Sequence, residues 1–491
     1  LYGDAYFKNE NYDKAMTYYQ KAEQLIYKYD VGQKELGIMN TQMADIFAIK
    51  GKKPKAIQYL NQANEEMLAL YGKTHKNYLN LLEQQVNISL KMEELALAEK
   101  FIVKYKENFK LRNESLPNDL LFSNLKMGLL TIDLSYALAL FKSTDAKRDL
   151  DDAIAKANKV IIYQDDVLTD ISDKENRLYF FKNAYSNISS AVYLLIRKYK
   201  SSSDIDFLER AFTLSEKAKF YSTKESRGAN FPILEATVPE DLRTSEKNLK
   251  LKLTQAISKY ENKLDQKVEP TEMLMLVGQI DSLKASHSRA MDKLTNASPA
   301  LANFLNNEMN LDIAKAKAKL QSIDRTYVSY FLNENLLLPD NYVFILSGDG
   351  LRYCPVSTMT KDISNLVLKL NKALRLDLDA SNDETKLIAF KKPATQLYDA
   401  LIKPLKLLNN NGLIINAHKE LYSIPFEVFF AAEKETFLVQ DRVISYTYAL
   451  QTVLEGHNSA YNVDVLLSAP DFQNSSDLDL RPLPNSKKEM K

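Results

Sequence analysis

Two stretches near the start of the chain carry the same spacing of small and large residues. In each, a small residue is followed by an aromatic residue three positions later, and an alanine, a large residue and another alanine follow at 12, 16 and 19 positions. The second stretch begins 41 residues after the first: Gly3, Tyr6, Ala15, Tyr19 and Ala22, then Ala44, Phe47, Ala56, Leu60 and Ala63. Small residues at such intervals let paired helices touch, so the pattern predicts stacked helical hairpins.

Weaker helical patterns follow these two stretches. A degraded unit spans Asn87–Tyr105 with Ala98 at the key position, and further hairpins are predicted over Tyr136–Ile162 and Phe180–Phe220. One such hairpin cannot bury its apolar face alone, which favours stacking into a solenoid. The pattern resembles tetratricopeptide repeats in a long variant, and that resemblance implies a groove for a protein or peptide partner. The alternative is an irregular bundle of amphipathic helices.

The middle of the chain has the pattern of a helical connector. The pair at 231–232, Phe-Pro, interrupts the repeats, and apolar residues then recur at three- and four-residue spacing from Leu242 to Leu294. Pro270 marks the predicted turn of a hairpin. The heptads are not sustained, so a packed hairpin is favoured over a coiled-coil dimer. His287 is predicted to be solvent-exposed on the polar side.

After Leu320 the period changes from helical to strand-like. Runs rich in β-branched and aromatic residues predict strands at 327–331, 342–346 and 351–356, with an Asp349-Gly350 turn between the last two. Helices are predicted at 363–376 and 395–408, and strands at 412–416, 437–450 and 463–469. Alternation of strands and helices indicates an α/β layered fold.

The last part of the chain resembles the CHAT domain, a caspase- and separase-like cysteine peptidase fold. Three pieces carry the resemblance: a helix from Leu397 to Leu405, a strand and turn from Leu421 to Glu427, and a strand from Leu438 to Tyr446. The chain departs from the family at 417–419, where Ala-His-Lys replaces the frequent Pro-Asp-Gly.

This resemblance implies that the catalytic His and Cys follow later core strands, beyond Lys491. We therefore expect no catalytic, cofactor-binding or metal-binding residue in this chain, no cofactor, and no activity for a polypeptide ending there. Leu1 is not an initiator Met, and Ser486 with Glu489 forms a capping-box pattern, which opens a helix just before the last residue. Both observations favour a piece of a longer protein over a natural terminal tail.

The few candidate side chains fit structural roles better than catalytic ones. Cys354, the single cysteine, lies in a predicted strand without a neighbouring His, which favours a structural thiol. His418 follows a core strand, where α/β folds place functional groups, but it precedes the family's catalytic His. His75 belongs to a repeat turn and His457 to a polar loop. Four dispersed His and one Cys predict no metal cluster.

Composition narrows the function classes. Lys and Arg number 65 and Asp and Glu 64, so the net charge of +1 gives no sign of nucleic-acid binding. The sequence has no apolar run long enough to span a membrane and no phosphate-loop or G-x-S-x-G motif. One cysteine is consistent with a reducing compartment, so we expect a cytoplasmic protein.

The predicted fold class is mainly α, a solenoid of the tetratricopeptide type, followed by a helical hairpin and a partial α/β caspase-like domain. The predicted boundaries are 1–229, 230–320 and 321–491. The favoured hypothesis is a repeat-regulated cysteine peptidase whose dyad lies beyond 491. One alternative is a non-catalytic interaction scaffold with an inert CHAT-like fold. Another is a helical signalling protein, which requires the strands to be misassigned.

Overall fold

A computed structural model describes residues 1–29, 32–115, 122–170, 174–226, 238–264, 270–298, 311–333, 338, 340–374, 384–407 and 412–455. Several predictions lie outside these residues. They are the break at 231–232, the loop containing His457, the strand at 463–469 and the capping box at 486–489. None of the described helices combines the length and apolar character needed to cross a membrane.

The first half is an array of helical pairs, in which each odd-numbered helix packs against the next one. The array consists of α1 (Tyr2–Lys8), α2 (Tyr12–Tyr29), α3 (Gln33–Ile49), α4 (Lys53–Tyr71), α5 (Lys76–Lys91), α6 (Leu95–Ser115), α7 (Phe122–Thr144), α8 (Lys147–Asp170), α9 (Lys174–Ser202) and α10 (Ile205–Ser226). Contacts between α2 and α3, α4 and α5, α6 and α7, and α8 and α9 join successive pairs.

The turns inside the first three pairs are alike. Glu10, Gly51 and Glu93 each follow the end of a helix and have a left-handed φ of 57°, 69° and 62°. In the first turn, Asn11 N–H donates to the Tyr6 carbonyl at 2.9 Å and Glu10 N–H donates to the carbonyl of Phe7 at 3.0 Å, which is a Schellman motif. These turns lie 41 and 42 residues apart, so the hairpins recur at the offset that the sequence predicts.

The small residues of the repeated pattern lie where helices meet. A side chain at Gly3 would place its Cβ 2.5 Å from the ring of Tyr19, so α1 approaches α2 as closely as a glycine allows. Most of the other pattern residues are buried at helix contacts: Ala15, Tyr19, Ala44, Ala56, Leu60 and Ala63. The spacing of small residues therefore sets the closeness of the pairs.

The predicted connector is a helical hairpin of α11 (Glu240–Leu264) and α12 (Pro270–Ala297). The prediction that His287 is solvent-exposed is wrong, because its side chain is buried and its Nε2 lies 2.8 Å from the Glu246 carboxylate. His287 lies seven residues from both Ile280 and Leu294, which are buried. It is therefore on the apolar stripe of α12, which faces α11.

A mixed five-stranded sheet follows, in the order β3-β2-β1-β4-β7. Its strands are β1 (Arg325–Phe331), β2 (Asn341–Ser347), β3 (Gly350–Val356), β4 (Gly412–Asn416) and β7 (Ile444–Tyr446), and β5 (Phe430–Ala431) and β6 (Thr436–Phe437) form a small separate pair. The predicted hairpin between β2 and β3 is confirmed. β4 lies parallel to both β1 and β7.

Helices accompany the strands: α13 (Ile313–Ser322), α14 (Thr360–Leu374), α15 (Glu384–Leu401), α16 (Leu438–Asp441) and α17 (Leu450–Glu455). The strand predicted over 437–450 is only partly correct, because α16 occupies 438–441, the strand β7 covers only 444–446, and α17 begins at Leu450. Phe437 N–H donates to Gln440 Oε1 at 2.7 Å, which satisfies a free amide at the start of α16 and favours the helical turn. The strand predicted within 421–427 is wrong, because this stretch forms parts of two 3₁₀ segments, Lys419–Ser423 and Phe426–Val428.

Both faces of the sheet are buried at its central strands β1, β2 and β4, and the two faces contact different elements. Tyr327, Phe331 and Phe344 pack against a core shared with α10, α13 and α17. Val328, Tyr330 and their neighbours pack against α14 and α15. One apolar core therefore runs from the array into the sheet, and the last helical pair is a layer of the α/β part. The fold is mainly α with a partial α/β layer structure.

Candidate functional site

The most polar buried site in the described chain lies where α10 crosses the sheet. Tyr327 and Ser329 are two residues apart on β1, so both side chains face α10. Ser329 pairs with Asn416, the last residue of β4. Three polar side chains from two parallel strands thus meet one helix, and the helix presents Glu216 and Lys219 to them.

Glu216 is fully buried and accepts hydrogen bonds from three other elements. Tyr327 Oη donates to its carboxylate at 2.6 Å and Ser329 Oγ at 2.5 Å. Asn416 Nδ2 lies 3.2 and 3.3 Å from the two carboxylate oxygens, and the Leu450 N–H donates at 3.0 Å. One carboxylate therefore joins α10 to β1, β4 and α17.

Lys219 provides the opposite charge. The cluster of Glu216, Lys219, Tyr327, Ser329 and Asn416 is called the joint below. Its Nζ lies 3.5 Å from Glu216, and it also donates to Ser329 Oγ. Burial lowers the pKa of Lys219 to about 8, although the carboxylate of Glu216 opposes that shift. Burial and the same carboxylate raise the pKa of Tyr327 well above its usual value. At neutral pH Lys219 is thus mainly an ammonium paired with a carboxylate.

His418 lies just after β4, beside this joint, and both ring nitrogens have partners. Its Nδ1 accepts the Leu332 N–H at 3.0 Å, so the proton is on Nε2, which lies 2.9 Å from Tyr185 Oη. The ring stacks against Tyr185 and Phe331 with centroids 5.4 and 5.8 Å away. Burial, followed by the charges of Lys219 and Lys419, lowers the pKa of His418 well below 6.5.

The other predicted candidates lie apart from the joint. Cys354 is half-buried on the end strand β3, and β2 and β1 separate that strand from β4. With strands about 4.8 Å apart, the thiol is roughly 14 Å from β4. His75 caps α5, accepting the Asn77 N–H at 3.2 Å on Nδ1, and stacks on Tyr71. Within the described chain, no group of three acidic, His or Cys side chains is placed to hold a metal ion.

The thiol of Cys354 is expected to react slowly with iodoacetamide at pH 7. Burial raises its pKa, and Sγ lies 3.4 Å from the Pro404 carbonyl, so little thiolate forms. The measurement is the alkylation rate by mass spectrometry, compared with the same protein in urea. Faster alkylation in the folded protein than in urea would contradict this assignment.

The sequence of α10 carries a signal for the joint. On α10 the buried residues Leu208, Phe212, Ser215 and Glu216 follow the helical period, and Lys219 continues it. A Glu and a Lys on the apolar stripe of a helix are unusual, because buried charges need partners. Those partners lie more than 100 positions away, so local patterns do not identify them.

The side chains of this joint hold the surrounding helix and strands in position. The Glu216 carboxylate binds the hydroxyl groups of Tyr327 and Ser329, the imidazole of His418 binds Leu332 and Tyr185 beside them, and the described residues here include no thiol. Breaking the joint would leave a buried charge without its partners, so α10, β1 and β4 are held in one arrangement.

Comparison with known protein families finds a match in the last part of the chain. Residues 391–491 match the CHAT domain. The match begins within α15 and includes β4 and β7, so it supports the CHAT part of the resemblance, and CHAT is a caspase-like family. It does not extend to the helical array. No curated protein matches the chain.

Proposed function

We propose that this chain belongs to a protein in which tetratricopeptide-like helical pairs bind a protein partner and regulate a cysteine-peptidase-like CHAT domain. In this proposal residues 1–229 are the partner-binding array, 230–320 the connector, and 321–491 part of the CHAT domain. The Cys and His of the dyad would lie beyond residue 491. The CHAT match at 391–491 and the recurring turns of the array support it.

The observation that carries the regulatory part is the buried carboxylate of Glu216. α10 ends the array, and its Glu216 binds β1, β4 and the start of α17. A shift of α10 relative to the sheet would break these hydrogen bonds in an apolar setting, where they are costly to lose. A change of the array on partner binding would therefore move the sheet as well.

Such a shift would move the carboxyl end of β4, and this is the end of the sheet where ligands and catalytic groups are expected. Asn416 is the last residue of β4, and open α/β sheets bind ligands outside the carboxyl ends of their strands. A dyad that follows later parallel strands would lie along the same edge. We also propose a cytoplasmic location, which suits a protein whose single thiol, Cys354, is unpaired.

The first test reads the coding frame beyond Lys491 and probes the resulting protein. A strand followed by His-Gly and a later strand followed by Cys are expected. In a Cys354→Ala background, a peptidyl acyloxymethyl ketone should then label the downstream Cys, and changing the downstream His to Ala should abolish labelling.

Regulation is tested in the same protein. Glu216→Gln should lower the labelling rate, and Glu209→Gln, on the same helix but away from the joint, should not. If the downstream Cys or His is absent, or no thiol is labelled, the peptidase proposal fails and the non-catalytic scaffold is favoured. If labelling occurs but is equal in both Glu variants, only the regulatory role of the joint fails.

A further inference from the structure

The first turn of the array lies against the α/β half of the chain. Lys361 Nζ lies 2.6 Å from the Glu10 carboxylate, across 351 positions of sequence. Glu10 is in the turn between α1 and α2, and Lys361 is in the first turn of α14. The pair raises the pKa of Lys361, first through this hydrogen bond. The two ends of the array thus contact the same α/β unit, α10 at one end and this turn at the other.

The position of Glu10 is fixed by its backbone. The Schellman turn holds it at a φ of +57°, and its carboxylate meets Lys361 of α14. Tyr12 and Asp362 are the other titratable groups close to Lys361, and neither replaces Glu10 as its hydrogen-bonded partner. The hydrogen-bonded contact therefore joins one carboxylate to one ammonium.

The two contacts of the array differ in strength. The side chains of Lys361 and Glu10 are 72% and 61% exposed, whereas those of Lys219 and Glu216 are 2% and 0% exposed. Exposed ion pairs are weak and are screened by salt, and buried pairs are costly to break. If the array separated from the α/β half, the exposed contact at Glu10 would therefore break before the buried contact at Glu216.

We propose that the Glu10–Lys361 pair is a latch that holds the first helical pair against the α/β half and opens to admit a partner to the array. The admission of a partner rests on the proposed function. The latch itself, a closed state released by salt, needs neither a partner nor peptidase activity. Its failure and the failure of the proposed function are therefore separate outcomes.

The test is zero-length coupling with a water-soluble carbodiimide, which joins a carboxylate and an amine in direct contact as an amide. The Lys50–Asp13 pair, at 2.5 Å between the end of α3 and α2, serves as the internal reference, because it is also solvent-accessible but joins two helices that pack against each other. At low salt, mass spectrometry should find both links. From about 0.01 M to 1 M NaCl the Glu10–Lys361 link should fall about two- to fivefold relative to the reference, as the Debye length shrinks.

Two kinds of variant test the assignment. Glu10→Asn removes the carboxylate, and Asn suits the left-handed backbone at this position. The helical pair of α1 and α2 should therefore still fold, and the coupled product with Lys361 should be absent. Glu10→Lys or Lys361→Glu alone should increase the radius of gyration in X-ray scattering, and the two together should restore it. Absence of the link at low salt beside a normal Lys50–Asp13 link overturns the proposal. A Glu10–Lys361 link whose yield does not change with salt also overturns the proposal. The same holds if the double exchange leaves the radius of gyration as large as in the single variants.

Discussion

Replacing Glu216 with Ala is expected to lower the free energy of unfolding by about 3–5 kcal/mol, among the largest effects of any single substitution in this chain. The substitution leaves the Lys219 ammonium buried without its counter-charge. It also removes the acceptor of Tyr327, Ser329 and the Leu450 N–H. Each donor left unpaired in an apolar setting adds to the cost. Urea denaturation followed by circular dichroism measures the change.

A double-substitution cycle separates the pair from general damage to the core. Glu216→Leu and Lys219→Met together should cost less than the sum of the two single changes, because the double variant leaves no unpaired charge. Glu209→Gln on the same helix should change stability by less than about 0.5 kcal/mol. Additive costs for Glu216→Leu and Lys219→Met would show that the two groups do not interact, contrary to their 3.5 Å separation.

Local patterns predicted the elements of this fold well. The spacing of small residues around Gly3 and Ala44 predicted the helical pairs, because it reports a contact between helices that are neighbours in sequence. The β2–β3 hairpin was predictable from Asp349-Gly350, since turn chemistry is local, and Gly350 has a φ of +135°. Pro270, which the connector pattern places at the turn of a hairpin, is the first residue of α12, a position that proline suits.

The joint could not be predicted, because its hydrogen bonds join residues far apart in sequence. Glu216 pairs with Tyr327 and Asn416 at separations of 111 and 200 residues. The sequence shows only that a charge lies on an apolar stripe, and not whether it is exposed, paired or neutralised. The error at His287 is similar: its polar neighbours suggested an exposed position, but its place on the stripe of α12 buries it against Glu246.

The extent of the core was the second feature missed. The predicted boundary separated the array at residue 229 from the α/β part at 321. In the fold, Leu208 and Phe212 of α10 share a core with Tyr327 and Phe344 of the sheet. Strand residues buried on both faces read as continuous apolar runs, which indicates two covering layers but does not say which helices supply them.

Lowering the pH below about 6.5 is expected to destabilise the protein through His418. The pKa of His418 is held well below 6.5 in the folded chain, chiefly by burial, whereas the unfolded chain takes up a proton near 6.5. Because the unfolded state then binds more protons, the contribution of His418 is fully present above about 6.5. It falls by up to about 1.4 kcal/mol per pH unit below that value.

The comparison with His418→Asn isolates this contribution from every other titrating group. Asn cannot titrate, and its Oδ1 can still accept the Leu332 N–H, but the contact with Tyr185 is lost. The variant should be less stable than the parent at pH 7.5, and the gap measured by urea denaturation should narrow at pH 6.0 and 5.5. Every other histidine is present in both proteins, so the comparison removes its contribution. A gap that stays constant from pH 7.5 to 5.5 would mean that His418 accepts a proton as readily in the fold as in the unfolded chain, and the buried neutral imidazole between β4 and α9 would be ruled out.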